Sequence, residues 1–282
     1  MKYGGIRMKK LMKPAAVLLT IAMLFSLFTI GAYADENDSL TIDEYGFIDV
    51  GDTEIEYGVY NKNAENALVL LPGNGADMHG LDSNILKAMA PYYKVVTISP
   101  RGTGNTMLGT DNLTFELEAQ DLNAVLDYLN IDTTYVYGFS DGGNLAIVFT
   151  LMYPERVSKL CIESPNINIF GTKTFTQLQI MWQFFILCIE SRFKNDYETQ
   201  RRKAIKGMMA HQPNLKFSDL EAISVPTLHI YAEHDMMFRT HSKNITKSIP
   251  NCEEIMIKGM GHSQALQTAE TIIGPAILDF YG

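Results

Sequence analysis

Three residue types in this chain can together carry out nucleophilic chemistry: a serine, a histidine and an acid. Ser140 sits in Gly138-Phe139-Ser140-Asp141-Gly142, between a short apolar run and a longer one. Its neighbours two positions away on either side lack side chains. A sharp strand-to-helix turn needs that spacing, because the residue at its apex takes strained backbone geometry and leaves no room for flanking side chains. Such a turn presents the Ser140 hydroxyl at the edge of a sheet. It also turns the N–H that follows, that of Asp141, toward any oxyanion formed there.

A serine hydroxyl is a weak nucleophile at neutral pH and needs a base within hydrogen-bond reach. Of the six histidines, His262 stands in Gly259-Met260-Gly261-His262-Ser263, a loop just after the last expected strand. His229 falls within a strand, and His79, His211, His234 and His241 have no comparable setting, so these five read as structural or solvated. The base in turn needs an acid to fix its tautomer. Asp235 ends Tyr231-Ala232-Glu233-His234-Asp235, immediately past a strand; Glu163, at the end of an earlier strand, is the reserve, and Glu233 points to the other face. A second oxyanion donor is expected from Pro72-Gly73-Asn74-Gly75, where the backbone can approach a ligand closely, with the N–H of Asn74 the choice. Cys161, Cys188 and Cys252 are odd in number and show no metal-ligand spacing.

These residues must be positioned by elements, and the pattern supplies them. Residues 45–50 and 54–60 alternate as two antiparallel strands joined at Gly51-Asp52. Further strands are expected at 67–71, 94–99, 134–137, 159–162, 227–231 and 254–257. Helices are expected at 83–90, 115–129, 144–152, 241–248 and 263–281. Strands alternating with helices make a mostly parallel sheet covered on both faces. The alternation stops at Asn166 and resumes near Val225. That stretch, about 166–224, holds the single tryptophan and the run Ile180-Met181-Trp182-Gln183-Phe184-Phe185-Ile186-Leu187. Two helices here, one apolar and one charged, would cap the sheet edge where such sheets bind ligands. Trp182, Phe184 and Phe185 then either pack the cap onto the sheet or line a substrate pocket above Ser140.

Bulk properties narrow the function classes. The 282 residues are 46% hydrophobic and 20% charged, which suits one large domain at 35–282. Residues 1–13 carry five basic side chains and no acid, Ala15 to Ile30 is free of charge, and Ala32-Tyr33-Ala34 precedes Asp35. This is the pattern of a signal peptide at 1–34, for a secreted or extracytoplasmic protein, with an uncleaved membrane anchor as the alternative. The net charge is −9, and loss of those five cations leaves about −14. Such a surface repels phosphate backbones, so a small-molecule substrate is expected and nucleic acid is not. Nothing in the sequence sets an oligomeric state.

With these residues in view, the chain resembles the α/β-hydrolase superfamily. The likeness rests on Leu70-Leu71-Pro72-Gly73-Asn74-Gly75, Ser99-Pro100-Arg101-Gly102-Thr103-Gly104, the Ser140 turn, Tyr153-Pro154-Glu155-Arg156-Val157, Val225-Pro226-Thr227 with Asp235, and Gly261-His262. It implies an α/β fold with an eight-stranded sheet, the second strand antiparallel, a helical cap after the sixth, and hydrolysis with no cofactor or metal. It also implies a Ser140-Asp235-His262 triad in that chain order. The usual His-Gly after the third strand is Pro72-Gly73 here, which keeps the glycine, and the usual acid-loop glycine is Ala232. A serine nucleophile excludes the Asp-dependent dehalogenases and epoxide hydrolases of this fold. A carboxylic-ester hydrolase is the first expectation. Carbon–carbon bond hydrolases, lactonases, thioesterases, aminopeptidases and triad-bearing signalling receptors are the alternatives.

Overall fold

The computed structural model describes residues 40–282 apart from 81 and 82. The expected leader at 1–34 lies outside the described residues. Eight strands form one sheet in the order β1-β2-β4-β3-β5-β6-β7-β8. They are β1 (Glu44–Asp49), β2 (Glu54–Tyr60), β3 (Ala67–Leu71), β4 (Lys94–Ile98), β5 (Thr134–Phe139), β6 (Val157–Glu163), β7 (Thr227–His234) and β8 (Cys252–Gly261). β2 runs antiparallel to both β1 and β4, and every other pairing is parallel.

The central strands are apolar at nearly every position because both faces are covered. All five residues of β3 are buried, as are four of the five in β4. Helices α2 (Phe115–Tyr128) and α3 (Asp141–Met152) and, farther along the chain, α6 (Arg239–Ser248) belong to one face. Their side chains Leu122, Val125, Ile147 and Ile245 pack with the strand residues Val69, Val96 and Val136. The opposite face sets Leu68, Leu70 and Val95 against α1 (Ser83–Met89) and α7 (Gly274–Tyr281). Thr114 caps α2, its hydroxyl accepting from the N–H of Leu117 at 3.1 Å, and Glu116 complements the helix dipole.

The closing helix differs from its expected extent. In place of one helix over 263–281 there is a 3₁₀ turn at Ala265–Thr268, a π turn at Ala269–Ile273, and only then α7. Pro275 has no N–H to donate back along the helix, which limits a continuous ladder to the residues that follow it. The wider turn before Gly274 accommodates that break.

Between β6 and β7 lie α4 (Thr174–Glu190) and α5 (Tyr197–His211), which pack on each other. Arg201 of α5 donates to the Gly102 carbonyl at 2.8 Å. Ile205 and Met208 of the same helix reach the loops that follow β3 and β4. Of these two helices, α5 therefore lies against the loops that follow β3 and β4, while α4 sits with one side exposed.

Candidate active site

Ser140 stands at the apex between β5 and α3 with φ 55° and ψ −117°. That is left-handed backbone a serine adopts only where its surroundings force it. Two main-chain hydrogen bonds hold it there. The Ser140 N–H donates to the Glu163 carbonyl at 2.8 Å, and its own carbonyl accepts from the Asn144 N–H at 3.0 Å. Gly142 is required at this turn, because a Cβ there would collide with the Leu71 and Pro72 carbonyls. Gly73 lets the loop after β3 come equally close; a Cβ on it would lie 3.5 Å from the Ser140 Cβ.

The structure brings Ser140, His262 and Asp235 together from three separate loops. His262 Nε2 lies 3.0 Å from the Ser140 hydroxyl, and its Nδ1 lies 2.7 Å from Asp235 Oδ1. With a proton on Nδ1 donated to the carboxylate, Nε2 is left to accept from the serine. The imidazole packs against Phe139, with ring centroids 4.9 Å apart, which limits its rotation. Asp235 is buried, and burial alone would raise its pKa. The bonds from His262, Ser164 and the Met237 N–H outweigh that and hold the carboxyl below its ordinary range.

Ser164 was not legible as a site residue. It follows β6, is fully buried, and has φ 51°. Its hydroxyl donates to Asp235 Oδ2 at 2.5 Å, while Oδ1 faces His262 and also accepts from the Met237 N–H at 3.2 Å. A serine ahead of a proline at a strand end signals a turn and nothing more; only the fold reveals its partner. Glu163, the reserve acid, is directed elsewhere and accepts from the Tyr137 hydroxyl at 2.5 Å. The five other histidines lie outside this array. His229, buried in β7 and pushed down to about 3 by desolvation, contacts the Thr246 hydroxyl at 2.9 Å.

Asn74 and Asp141, expected to supply the oxyanion donors, are joined through their side chains. Asn74 Nδ2 donates to Asp141 Oδ2 at 2.7 Å, and Asn144 Nδ2 donates to Oδ1 at 3.1 Å. The bond fixes the loop after β3 to the first residue of α3. Burial raises the Asp141 pKa, opposed by the Asn74 bond and by the charge of Lys206. The neighbouring Glu118 is pushed well above the usual carboxylate range by burial and then by the charge of Asp141. A cavity of about 340 Å³, its open mouth included, lies beside this pair and is walled by Gly73, Asn74, Leu145, Ile205 and Met208.

The three aromatic residues weighed as either cap packing or pocket lining sit on α4. Trp182 and Phe185 are 59% and 52% exposed on the outer side of α4. Phe184 turns inward but meets Gly207 and the His211 ring, 4.9 Å between centroids, rather than Ser140. From α5, Ile205 and Met208 line the cavity beside Gly73, Asn74 and Asp141. Among the described residues, no cluster of three His, Cys, Asp or Glu is placed to hold a metal ion.

Comparison with known proteins agrees with this architecture. A family model described as alpha/beta hydrolase fold matches residues 66–203. A Bacillus subtilis protein assigned as 2-succinyl-6-hydroxy-2,4-cyclohexadiene-1-carboxylate synthase is 25% identical over 74% of this chain and 89% of its own length. A 2-hydroxy-6-oxononadienedioate/2-hydroxy-6-oxononatrienedioate hydrolase of Paraburkholderia xenovorans is 30% identical, but over only 40% of each chain. Among solved structures, a thermophilic esterase from Thermogutta terrifontis superposes with a TM-score of 0.67 at 19% identity, covering 84% of this chain and 98% of the esterase.

Proposed function

The chain belongs to the α/β-hydrolase superfamily, and from that premise we propose that it is a serine hydrolase acting on a small carboxylic ester. The observation that carries this reading is the unbroken line of contacts from the Ser140 hydroxyl through His262 to Asp235. Ser140 Oγ attacks the ester carbonyl as its proton passes to His262 Nε2, and the Asp235 carboxylate stabilises the imidazolium. The N–H groups of Asn74 and Asp141 receive the oxyanion, each contributing about 3 kcal/mol in the transition state. Collapse of the tetrahedral intermediate breaks the C–O bond. The departing alkoxide takes the proton from His262 and leaves an acyl-Ser140. Water, deprotonated by His262, then attacks the acyl carbon and releases the acid and free serine. The segment at 166–224 acts as the cap, with α5 closing the site.

The test is turnover of p-nitrophenyl acetate. Ser140→Ala and His262→Ala should each remove most of kcat, and the double variant little more, because the three residues act as a unit. Additive losses, or repeated turnover by Ser140→Ala, would refute the reading. A second reading has one specific support, the carbon–carbon bond hydrolase among the relatives. A dienoic ring-fission substrate turned over faster than any ester would favour it. We also propose export, with the mature chain starting at Asp35. N-terminal sequencing of protein recovered outside the cell decides that, and a start at Met1 in the membrane fraction would favour the anchor.

A further inference from the structure

The outer side of α4 is the least expected surface of the molecule. Phe175, Leu178, Trp182, Phe185 and Ile189 follow one another at intervals of three and four residues along it, and Phe193 continues the spacing in the turn just past its end. Each is between 41% and 84% exposed. Helical spacing puts them on one stripe. The helix already satisfies its packing with the opposite stripe, where Gln177, Ile180 and Leu187 are buried. Nothing among the described residues covers the outer one. An apolar patch of this extent marks a surface built to meet an apolar partner.

We propose that this face docks on a phospholipid membrane, with α4 lying in the plane of the headgroups. Charge supports that occupant. In a chain of net charge −9, α4 has a single charged residue, Glu190, and Lys194 (2.9 Å) and Arg202 (3.7 Å) both engage it. Exposed Lys173 stands just before the helix, and exposed Arg192 and Lys194 just beyond it. Cations at the two ends of an aromatic stripe reach lipid phosphates while the rings enter the acyl boundary. The stripe also has the composition of the membrane interface, with bulky aromatics and a tryptophan at its centre. The chain outside the described residues agrees. The expected leader, a basic stretch followed by the apolar run from Ala15 to Ile30, has the pattern of a segment that directs a chain to a membrane.

The docking is independent of the chemistry at Ser140, and the chain carries its own reporter. Trp182 is the only tryptophan, so its emission reads this face alone. The full chain is mixed with phosphatidylcholine vesicles, with and without dibrominated acyl chains. Docking predicts that the emission moves to shorter wavelength and that the brominated lipid quenches it. Phe175→Asp and Ile189→Asp, both at exposed positions, should each weaken the lipid-dependent quenching roughly tenfold. Co-sedimentation through residues 1–34 would persist in those variants, which separates the two modes of attachment. Emission indifferent to vesicles would overturn the proposal. So would a shift that follows protein concentration in lipid-free buffer, which would assign the face to a second copy of the chain.

Discussion

At the scale of single residues, the arrangement depends on how Asp235 is held. Its two oxygens are divided between His262 and Ser164, so the carboxylate cannot rotate without losing a bond. Asp235→Asn should leave the fold intact but favour the wrong imidazole tautomer, lowering kcat about 10⁴-fold. Ser164→Ala removes one donor to the ionised carboxylate and should cost roughly tenfold. Its pH profile distinguishes positioning from bulk. Asp235 is held low partly by the Ser164 bond, so without it the Asp235–His262 pair binds its proton more tightly. The acid limb of kcat/KM should therefore move to higher pH, and an unmoved limb would assign Ser164 a purely structural part. Ser140, Asp235 and His262 could be read from the sequence because each follows a strand that signals itself by apolar, β-branched runs. Ser164 could not, since its importance comes from a partner 71 residues away.

At the scale of elements, the elbow is the most constrained. Gly142→Ala should fail to fold or should flatten the turn, because the added methyl meets main-chain carbonyls that cannot move aside. A soluble, fully active Gly142→Ala would contradict that account. The strands of the first half, such as Ala67–Leu71, were legible nearly to the residue because a strand buried on both faces leaves a plain apolar signature. Thr227–His234 and Cys252–Gly261, by contrast, extend beyond the expected 227–231 and 254–257. The cap was not. A helix that is apolar nearly all round does not disclose which stripe meets the protein, and α4 presents its Trp182 side outward. Under the proposed function, α5 is the element assigned to sense substrate length, because its Ile205 and Met208 wall the cavity beside Asn74 and Asp141. Trp182→Ala should leave the profile of p-nitrophenyl acetate, butyrate and hexanoate unchanged. Met208→Ala enlarges the cavity wall and should shift the preference toward longer acyl chains, by up to about fourfold per added methylene. A Trp182→Ala profile that changed while Met208→Ala did not would return the pocket to α4.

At the scale of the whole molecule, sensitivity to acid follows from two hydrogen-bonded carboxylates near the antiparallel edge, the buried Glu56 and the partly exposed Asp52. Burial acts to raise the pKa of Glu56, but donors from Asn105, Ser99 and Tyr45 lower it from 4.5 to about 2. Asp52, held by the Thr110 N–H and by Arg101 against its own desolvation, is lowered from 3.8 to about 2. Groups depressed in the folded state stabilise it fully above their unfolded values and lose that effect as pH falls. The contribution of these two carboxylates to stability against urea should thus be flat from neutrality down to near pH 4.5 and then decline toward pH 2. Glu56→Gln should lower the plateau and weaken the decline. The central claim concerns Ser140, and one measurement tests it most directly. A fluorophosphonate probe is incubated with the protein, and the adduct is located by peptide mass spectrometry. A single adduct on Ser140, formed far more slowly by His262→Ala, is the predicted result. An adduct on any other serine, or labelling of Ser140 at the same rate without His262, would contradict it.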